Sequence, residues 1–292
     1  MSTNVDTSPV EAPTTRLHAS WAWVREALAI AAIYIVYGFV RNQFGSAKLG
    51  IGDAPLHAFN NAVRVIDLEK AVGLFHEQTV QGWFLGTPWV TFFNIFYGTA
   101  HFIVTLGVLI WLFVRHRAIF PRWRTTLMVT TVLALIGFAL FPLMPPRLFN
   151  TDPADNRYGG GALAIEHHQP NYGFVDTLRD GSGLWSFDSS KMDRVSNQYA
   201  AMPSLHIGWS LWCALVIWKF ARRRYLRYLG LLYPFVTLLA IVATANHYII
   251  DAAGGIAIVV VGFLIALVIE RLRRAPHPPV EDGVNDDVLL PG

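Results

Sequence analysis

The stretch HYIIDAAGGIAIVVVGFLIALVI, residues 247–269, carries no charged side chain after Asp251. A helix needs about 20 mainly apolar residues to cross the roughly 30 Å of hydrocarbon in a bilayer, and this stretch is long enough. Five other apolar stretches precede it, at residues 27–40, 89–114, 125–143, 200–218 and 228–245. The first is the weakest, because it is short unless residues 21–24 extend it past Arg25. We therefore predict an all-α polytopic membrane protein, a bundle of six transmembrane helices.

The composition of the whole chain agrees with this prediction. Of its 292 residues, 53% are hydrophobic and 15% are charged, and the mean hydropathy is +0.39. These values are too apolar for an ordinary soluble domain of this size. The single cysteine, Cys213, excludes an internal disulfide.

Basic residues orient the predicted spans. They cluster between spans two and three, between spans four and five, and after span six. The clusters are Arg115, Arg117, Arg122 and Arg124; Lys219, Arg222, Arg223, Arg224 and Arg227; and Arg271, Arg273 and Arg274. Because short cytoplasmic loops are rich in Lys and Arg, we expect these clusters and both termini to be cytoplasmic. Because the membrane topology already explains where the basic residues cluster, we expect no nucleic-acid partner.

The domain prediction follows from this topology. Residues 1–20 are expected to be a disordered cytoplasmic N-terminus, residues 21–274 the six-helix domain, and residues 275–292 a disordered cytoplasmic tail. The first span lacks a small-residue cleavage site and is interpreted as an uncleaved anchor. Linkers 41–88 and 144–199 then face outward, and the expected location is the plasma membrane.

Each outer linker has a feature of its own. Residues 55–86 have apolar side chains at helical spacing and predict one amphipathic helix in the outer interface, with Trp83 and Trp89 as aromatic anchors. A helix that caps the bundle is an equally good interpretation. The second linker is long and rich in glycine and aromatic residues, which favours a lid or binding loop. Its adjacent His167 and His168 are expected to be surface residues and not metal ligands.

Three polar groups of residues lie at the outer ends of the spans. They are Pro145–Pro146–Arg147, Pro203–Ser204–Leu205–His206 and Asn246–His247 with Asp251. Spans four and six both begin on this side, so their free N–H groups predict a phosphate-binding pocket. Pro203 suits the first turn of span four, Asn246 suits the N-cap of span six, and Arg147 could supply a charged fork to the anion.

The histidines suggest phosphoryl-transfer chemistry. His247 and Asp251 are four residues apart, so a helix places them on one face. The carboxylate could keep one imidazole nitrogen protonated and leave the other free to attack phosphorus, while His206 protonates the leaving oxygen. Ionisable residues inside a membrane usually mark a functional site.

Other interpretations of these residues stay open. His206 and His247 could merely satisfy polar contacts in the bundle, or could bind a cation together with Asp251. Asn94, Tyr97 and His101 in span two could line the substrate cavity, or could form hydrogen bonds between helices.

The segments AAMPSLH (200–206) and NHYIID (246–251), followed by Gly254 and Gly255, resemble the type 2 phosphatidic acid phosphatase superfamily. Within it, they are most similar to the branch of the fungal inositol phosphorylceramide synthases and their actinobacterial relatives. The resemblance extends over about residues 54–269. It implies a six-helix bundle, no metal or other cofactor, and a covalent phosphohistidine intermediate.

The resemblance also implies roles for individual residues. His247 would be the nucleophile, Asp251 its orienting carboxylate and His206 the general acid. Ser204 and Arg147 would contact the substrate phosphate.

Two departures from the phosphatases of the superfamily bear on the reaction. Ala240 and Ile241 stand where they have Ser-Arg, and Leu140 stands where they have a lysine. Leu205 replaces the usual glycine, as in the synthase branch. We therefore expect a lipid phosphotransferase that passes a phosphoryl or phospho-alcohol group, of the inositol phosphate type, to an acceptor alcohol. The alternatives are a phosphatidate or polyprenyl phosphate phosphatase, with water as acceptor, and a lipid-binding or transport protein without turnover.

Overall fold

The structure is a computed structural model that describes residues 54–149, 160–178 and 198–274, together with the single positions 24, 28 and 35. Within these ranges the chain forms eight α-helices, one 3₁₀ turn over Pro146–Phe149, and no strand beyond an isolated bridge between Leu143 and Ala200. The helices are α1 (Ala54–Ala71), α2 (Glu77–Phe84), α3 (Pro88–Arg115), α4 (Phe120–Leu140), α5 (Gly160–Glu166), α6 (Leu205–Phe220), α7 (Arg224–Ala243) and α8 (Ile249–Arg274). The all-α prediction is confirmed for this part of the chain.

Four of the helices, α3, α4, α7 and α8, are long and apolar enough to cross a membrane, with mean hydropathies from 1.5 to 2.8. A helix pairs its backbone polar groups internally, which the hydrocarbon of a bilayer requires. The chain is therefore an integral membrane protein. The first predicted span, residues 27–40, lies outside the described residues apart from two single positions.

The span predicted over residues 200–218 is shorter in the structure. α6 begins at Leu205 and has 16 residues, a length of about 24 Å. Ser204 is its N-cap, because the Ser204 Oγ accepts a hydrogen bond from the backbone N–H of Ile207 at 3.4 Å. Pro203 therefore precedes the helix, and its predicted place in the first turn is wrong.

The helices place their polar motifs and their basic residues at opposite ends of the bundle. α8 packs most extensively against α4, and α6 against α7. α4 and α7 end near the points where α6 and α8 begin, so the Arg147, His206 and His247 motifs meet at one end. At the other end, Arg122 of α4 forms an ion pair with Glu270 of α8 at 2.5 Å.

Residues 55–86 form two helices, not the single predicted amphipathic helix. The chain leaves α1 through Gly73, whose φ of +71° is unfavourable for other residues, and starts again with α2 at Glu77. α1 packs on the polar-motif end of the bundle through buried Phe59, Ala62 and Ile66. The helix boundaries thus differ from the prediction because the turn at Gly73 interrupts the pattern.

The second long linker is described over residues 160–178 and from 198 onward. Val175 is held by the side chain of Gln81, which both donates to the Val175 carbonyl (2.8 Å) and accepts from its N–H (3.0 Å). His167 and His168 are exposed, as predicted. The remainder of the segment in which the lid was predicted lies outside the described residues.

Candidate active site

His247 and Asp251 form the centre of the site. α7 ends at Ala243, the chain turns through Ala245 with a φ of +52°, and α8 begins at Ile249. His247 Nδ1 lies 3.2 Å from Asp251 Oδ2, and the same oxygen accepts the backbone N–H of Tyr248 at 2.9 Å. His247 and Asp251 are 2% and 0% exposed, respectively. The carboxylate therefore fixes the imidazole through Nδ1 and leaves Nε2 free of that contact.

His206 lies beside His247, as the order of the helices predicts. The ring centroids are 5.5 Å apart, with the ring planes at 69° to each other. A backbone hydrogen bond joins the two motifs, because the N–H of Ser204 donates to the carbonyl of Asp251 at 3.0 Å. The start of α6 is thus attached directly to the first turn of α8.

Of the three predicted cavity-lining residues, two reach the histidine pair. The ring of His206 stacks on Tyr97 at 4.4 Å and contacts His101 at 4.3 Å. These side chains line a narrow gap between α3, α6 and α7 that is too tight to hold a water molecule. The amide of Asn94 instead exchanges two hydrogen bonds with Thr177 of the second linker, at 2.8 and 3.0 Å.

Arg147 is buried next to the turn that carries His247. Its backbone N–H donates to Ala245 at 2.9 Å. Its guanidinium donates to Asn246 Oδ1 at 2.9 Å, to Asp176 Oδ2 at 2.7 Å and to the side-chain oxygen of Gln198. Each nitrogen of the guanidinium therefore has an acceptor in the structure, and these contacts use three of its five N–H groups.

Asn246 is not the N-cap of α8, contrary to the prediction. Its side-chain amide donates to Thr244 Oγ1 at 2.8 Å, and its oxygen accepts from Arg147. Asn246 thus links Arg147 to the turn before α8.

Carboxylates occupy the first turn of α8, where free N–H groups for a phosphate were expected. Asp251 accepts from Tyr248, Glu77 accepts from Ile249 at 2.8 Å, and Glu69 accepts from Ile250 at 2.7 Å. The expectation of free N–H groups at the start of α8 is therefore wrong, because carboxyl oxygens accept from all three of these groups.

Glu69 and Glu77 are the residues that the sequence analysis missed. Glu69 lies in the stretch that was predicted as one amphipathic helix, yet it is fully buried. A signal was present in the sequence, because Glu69 follows Ala62 by seven residues and Ile66 by three, which puts it on their apolar face. An acidic residue on that face indicates a buried partner.

No group of three or more His, Cys, Asp or Glu side chains within the described ranges has an arrangement that could hold a metal ion. Asp251 Oδ2 is instead hydrogen-bonded to His247 and to the backbone of Tyr248.

Gly255 allows α8 to approach α6 closely at the site. A Cβ at position 255 would lie 2.5 Å from the carbonyl oxygen of Ser204 and 3.0 Å from the Cβ of Ile207. We expect Gly255→Ala to lower stability by about 1–3 kcal/mol through overpacking and to reduce activity by moving Ser204. The measurement is the thermal melting temperature in detergent together with turnover.

Gly107→Ala in α3 is the matched control, because a Cβ there would meet nothing within 4 Å. This change is expected to be neutral or slightly stabilising, since alanine favours helix more than glycine. Equal effects of the two substitutions would contradict the role given to Gly255.

The fold and the site define an integral membrane protein with a carboxylate-oriented histidine beside a second histidine at the ends of its helices. The sequence model of the PAP2 superfamily matches residues 63–265, well over half of the chain, and the chain belongs to this superfamily. Its members are lipid phosphatases and phosphotransferases, so this protein is an enzyme of that type that acts on lipid phosphates. Comparisons with curated proteins and with solved structures give no match.

Proposed function

We propose that this protein is a metal-independent lipid phosphotransferase that passes a phosphoryl or phospho-alcohol head group, of the inositol phosphate type, through a phosphohistidine at His247. The observation that carries the proposal is the hydrogen bond between His247 Nδ1 and Asp251 Oδ2, with the centroid of the His206 ring 5.5 Å from that of His247. A proton on Nδ1 leaves the lone pair of Nε2 available as a nucleophile.

In the first step, Nε2 of His247 attacks the phosphorus of the donor lipid. The N–P bond forms while the bond from phosphorus to the leaving oxygen breaks. His206, as a protonated imidazolium, gives its proton to that oxygen, so the lipid alcohol leaves neutral. Asp251 stabilises the positive charge that develops on the His247 ring.

In the second step, the acceptor hydroxyl attacks the same phosphorus. Neutral His206 takes the hydroxyl proton as the new O–P bond forms and the N–P bond to His247 breaks. Both histidines then have their initial protonation states. An acceptor alcohol gives a new phospholipid, whereas water would give hydrolysis.

Arg147, Ser204 and Asn246 are proposed to bind the substrate phosphate. Their positions support this role, because Arg147 and Asn246 contact each other in the turn before α8 and Ser204 is hydrogen-bonded to Asp251 through its backbone. Phosphate binding by Arg147 would replace the carboxylate of Asp176, the one anionic acceptor seen on the guanidinium within the described residues.

Two observations favour transfer over hydrolysis as the main reaction. Ala240 and Ile241, which stand in place of a Ser-Arg pair, are fully buried and apolar. Leu140, in place of a lysine, is 76% exposed. A site with fewer cations suits a phosphodiester, which carries less charge than a phosphomonoester.

The location of the site is proposed to be the outer face of the plasma membrane. The basic residues near Arg122 and Lys219 lie at the opposite end of the bundle, and such residues favour the cytoplasmic side.

The test uses purified protein in liposomes with labelled phosphatidylinositol, phosphatidate or polyprenyl phosphate, with and without a lipid alcohol. Products are resolved by lipid mass spectrometry, and His247→Ala is run beside the wild type. A new phospholipid that needs both wild type and acceptor supports the proposal. A dephosphorylated lipid or a released phosphate would make the protein a phosphatase, and binding without any turnover would make it a lipid-binding protein.

His206→Asn gives a sharper prediction about the acid role. With a lipid donor, we expect turnover to fall by about 10²- to 10⁴-fold, because the alkoxide leaving group lacks a proton. With an analogue whose leaving group is p-nitrophenol, the loss is expected to be much smaller, since that phenolate needs no acid. His168→Asn, at an exposed histidine, is the control. Because His206 also acts as the base in the second step, the comparison uses single-turnover release of the leaving group, and equal losses in that rate on both substrates would exclude a general acid at this position.

A further inference from the structure

Two glutamates from outside the transmembrane helices hold the first turn of α8. Oε1 of Glu77 accepts the N–H of Ile249 at 2.8 Å, and Oε1 of Glu69 accepts the N–H of Ile250 at 2.7 Å. Both side chains are 0% exposed. These N–H groups belong to the two residues that follow His247 and Tyr248, so the glutamates fix the backbone beside the proposed nucleophile.

The second oxygens of the two carboxyl groups carry the inference. Oε2 of Glu69 and Oε2 of Glu77 are buried and have no hydrogen-bond donor among the described residues. Consecutive backbone N–H groups bring the two carboxyl groups close together. If both were ionised, they and Asp251 would put three buried negative charges at one helix end, which is very unfavourable.

We propose that Glu69 and Glu77 share one proton between their Oε2 atoms and act together as positioning residues for His247. The shared proton gives each buried oxygen a partner and leaves the pair with a single negative charge. One O–H then donates to the facing carboxylate, while both Oε1 atoms accept from α8. The positioning role rests on the proposed function, whereas the shared proton does not.

The titration of Glu69 agrees with this arrangement. Burial, the hydrogen bond from Glu77 and the charge of Glu77 raise the pKa of Glu69 from 4.5 to about 9, and the charge of Asp251 acts in the same direction. Among the described residues, Tyr248 interacts electrostatically with both glutamates, with Asp251 and with Tyr172, and His247 contacts Asp251.

This raised pKa has a defined consequence for stability. The folded state keeps a proton on Glu69 that the unfolded state loses above pH 4.5. The contribution of this group is therefore fully present below pH 4.5, falls as the pH rises, and is lost at about pH 9.

The test compares glutamine and alanine variants of each glutamate. In Glu69→Gln, the amide oxygen can accept from Ile250 and the amide N–H can donate to Glu77, so the variant imitates the protonated pair. We expect Glu69→Gln and Glu77→Gln each to keep activity within about threefold of wild type, and each alanine variant to lose about tenfold or more in kcat with little change in KM. Asp67→Asn, an exposed acid on the same helix, is the control.

The double variant Glu69→Gln/Glu77→Gln distinguishes a pair that shares a proton from two glutamates that cap α8 independently. In this variant both amide oxygens accept from the N–H groups of α8, so the two –NH₂ groups would face each other without an acceptor. We expect its loss of stability and activity to exceed the sum of the two single effects clearly. Additive effects would overturn the shared proton.

The pH dependence of the melting temperature is a second measurement, and it needs no activity assay. Between pH 5 and pH 9 the melting temperature of wild type is expected to fall relative to Glu69→Gln by about 5 °C or more. Parallel curves would overturn the shared proton even if the lipid assay succeeds. If no lipid is turned over, the stability measurements still test the pair, so failure of this inference and failure of the proposed function are distinguishable.

Discussion

Replacement of His247 by asparagine is expected to reduce lipid turnover by about 10⁴-fold or more, because it removes the atom that would bond to phosphorus. The fold should survive the change. The side-chain N–H of asparagine can replace the donor that His247 Nδ1 offers to Asp251 Oδ2, a contact of 3.2 Å in the structure. The loss should therefore appear in kcat, with substrate binding largely retained.

The measurement combines initial rates with labelling of the protein by a donor that carries ³²P, quenched with denaturing detergent at alkaline pH. Wild type should carry an acid-labile, base-stable phosphate that is absent from His247→Asn. His168→Asn, at an exposed histidine, should behave as wild type. A His247→Asn variant that keeps substantial turnover would remove the nucleophile from the proposed mechanism.

The fold was predictable where hydrophobic length alone decides it. The apolar runs that become α3, α4, α7 and α8 are long enough to require helices in a membrane, so their existence follows from the sequence. Their ends depend on local contacts that hydropathy does not show. α6 starts at Leu205 because Ser204 caps it and is hydrogen-bonded to Asp251, a residue distant in sequence.

The candidate site was predictable in part because helix direction decides which ends meet. His206 and His247 each stand at the start of a helix on the same side of the bundle, and the structure brings their rings to 5.5 Å. The partners of Arg147 were not predictable, because Asp176 and Gln198 come from an outer linker without apolar periodicity. The caps on α8 were missed since they come from α1 and α2, whose packing onto the bundle is a tertiary effect.

Replacement of Asp251 by alanine is expected to lower kcat by about 10⁴-fold, similar to the effect of disabling the carboxylate in a Ser-His-Asp triad. Alanine removes the acceptor for both His247 Nδ1 and the Tyr248 N–H. The imidazole would then lose its orientation and its preferred tautomer, and the first turn of α8 would lose one of its caps. A lower melting temperature should accompany the loss of activity.

Asp251→Asn separates the charge of this residue from its orienting role. Because Oδ2 accepts both hydrogen bonds and Oδ1 has no partner among the described residues, an amide with its oxygen in the Oδ2 position keeps both contacts. The variant loses only the negative charge that stabilises the positive phosphohistidine ring. We therefore expect a smaller loss, about 10²- to 10³-fold in kcat. Steady-state rates of the two variants, measured on samples with the same folded fraction, test whether Asp251→Ala loses more activity than Asp251→Asn. Equal losses would mean that the charge of Asp251, and not its geometry, supplies nearly all of the effect, whereas an active Asp251→Asn would show that orientation alone is sufficient.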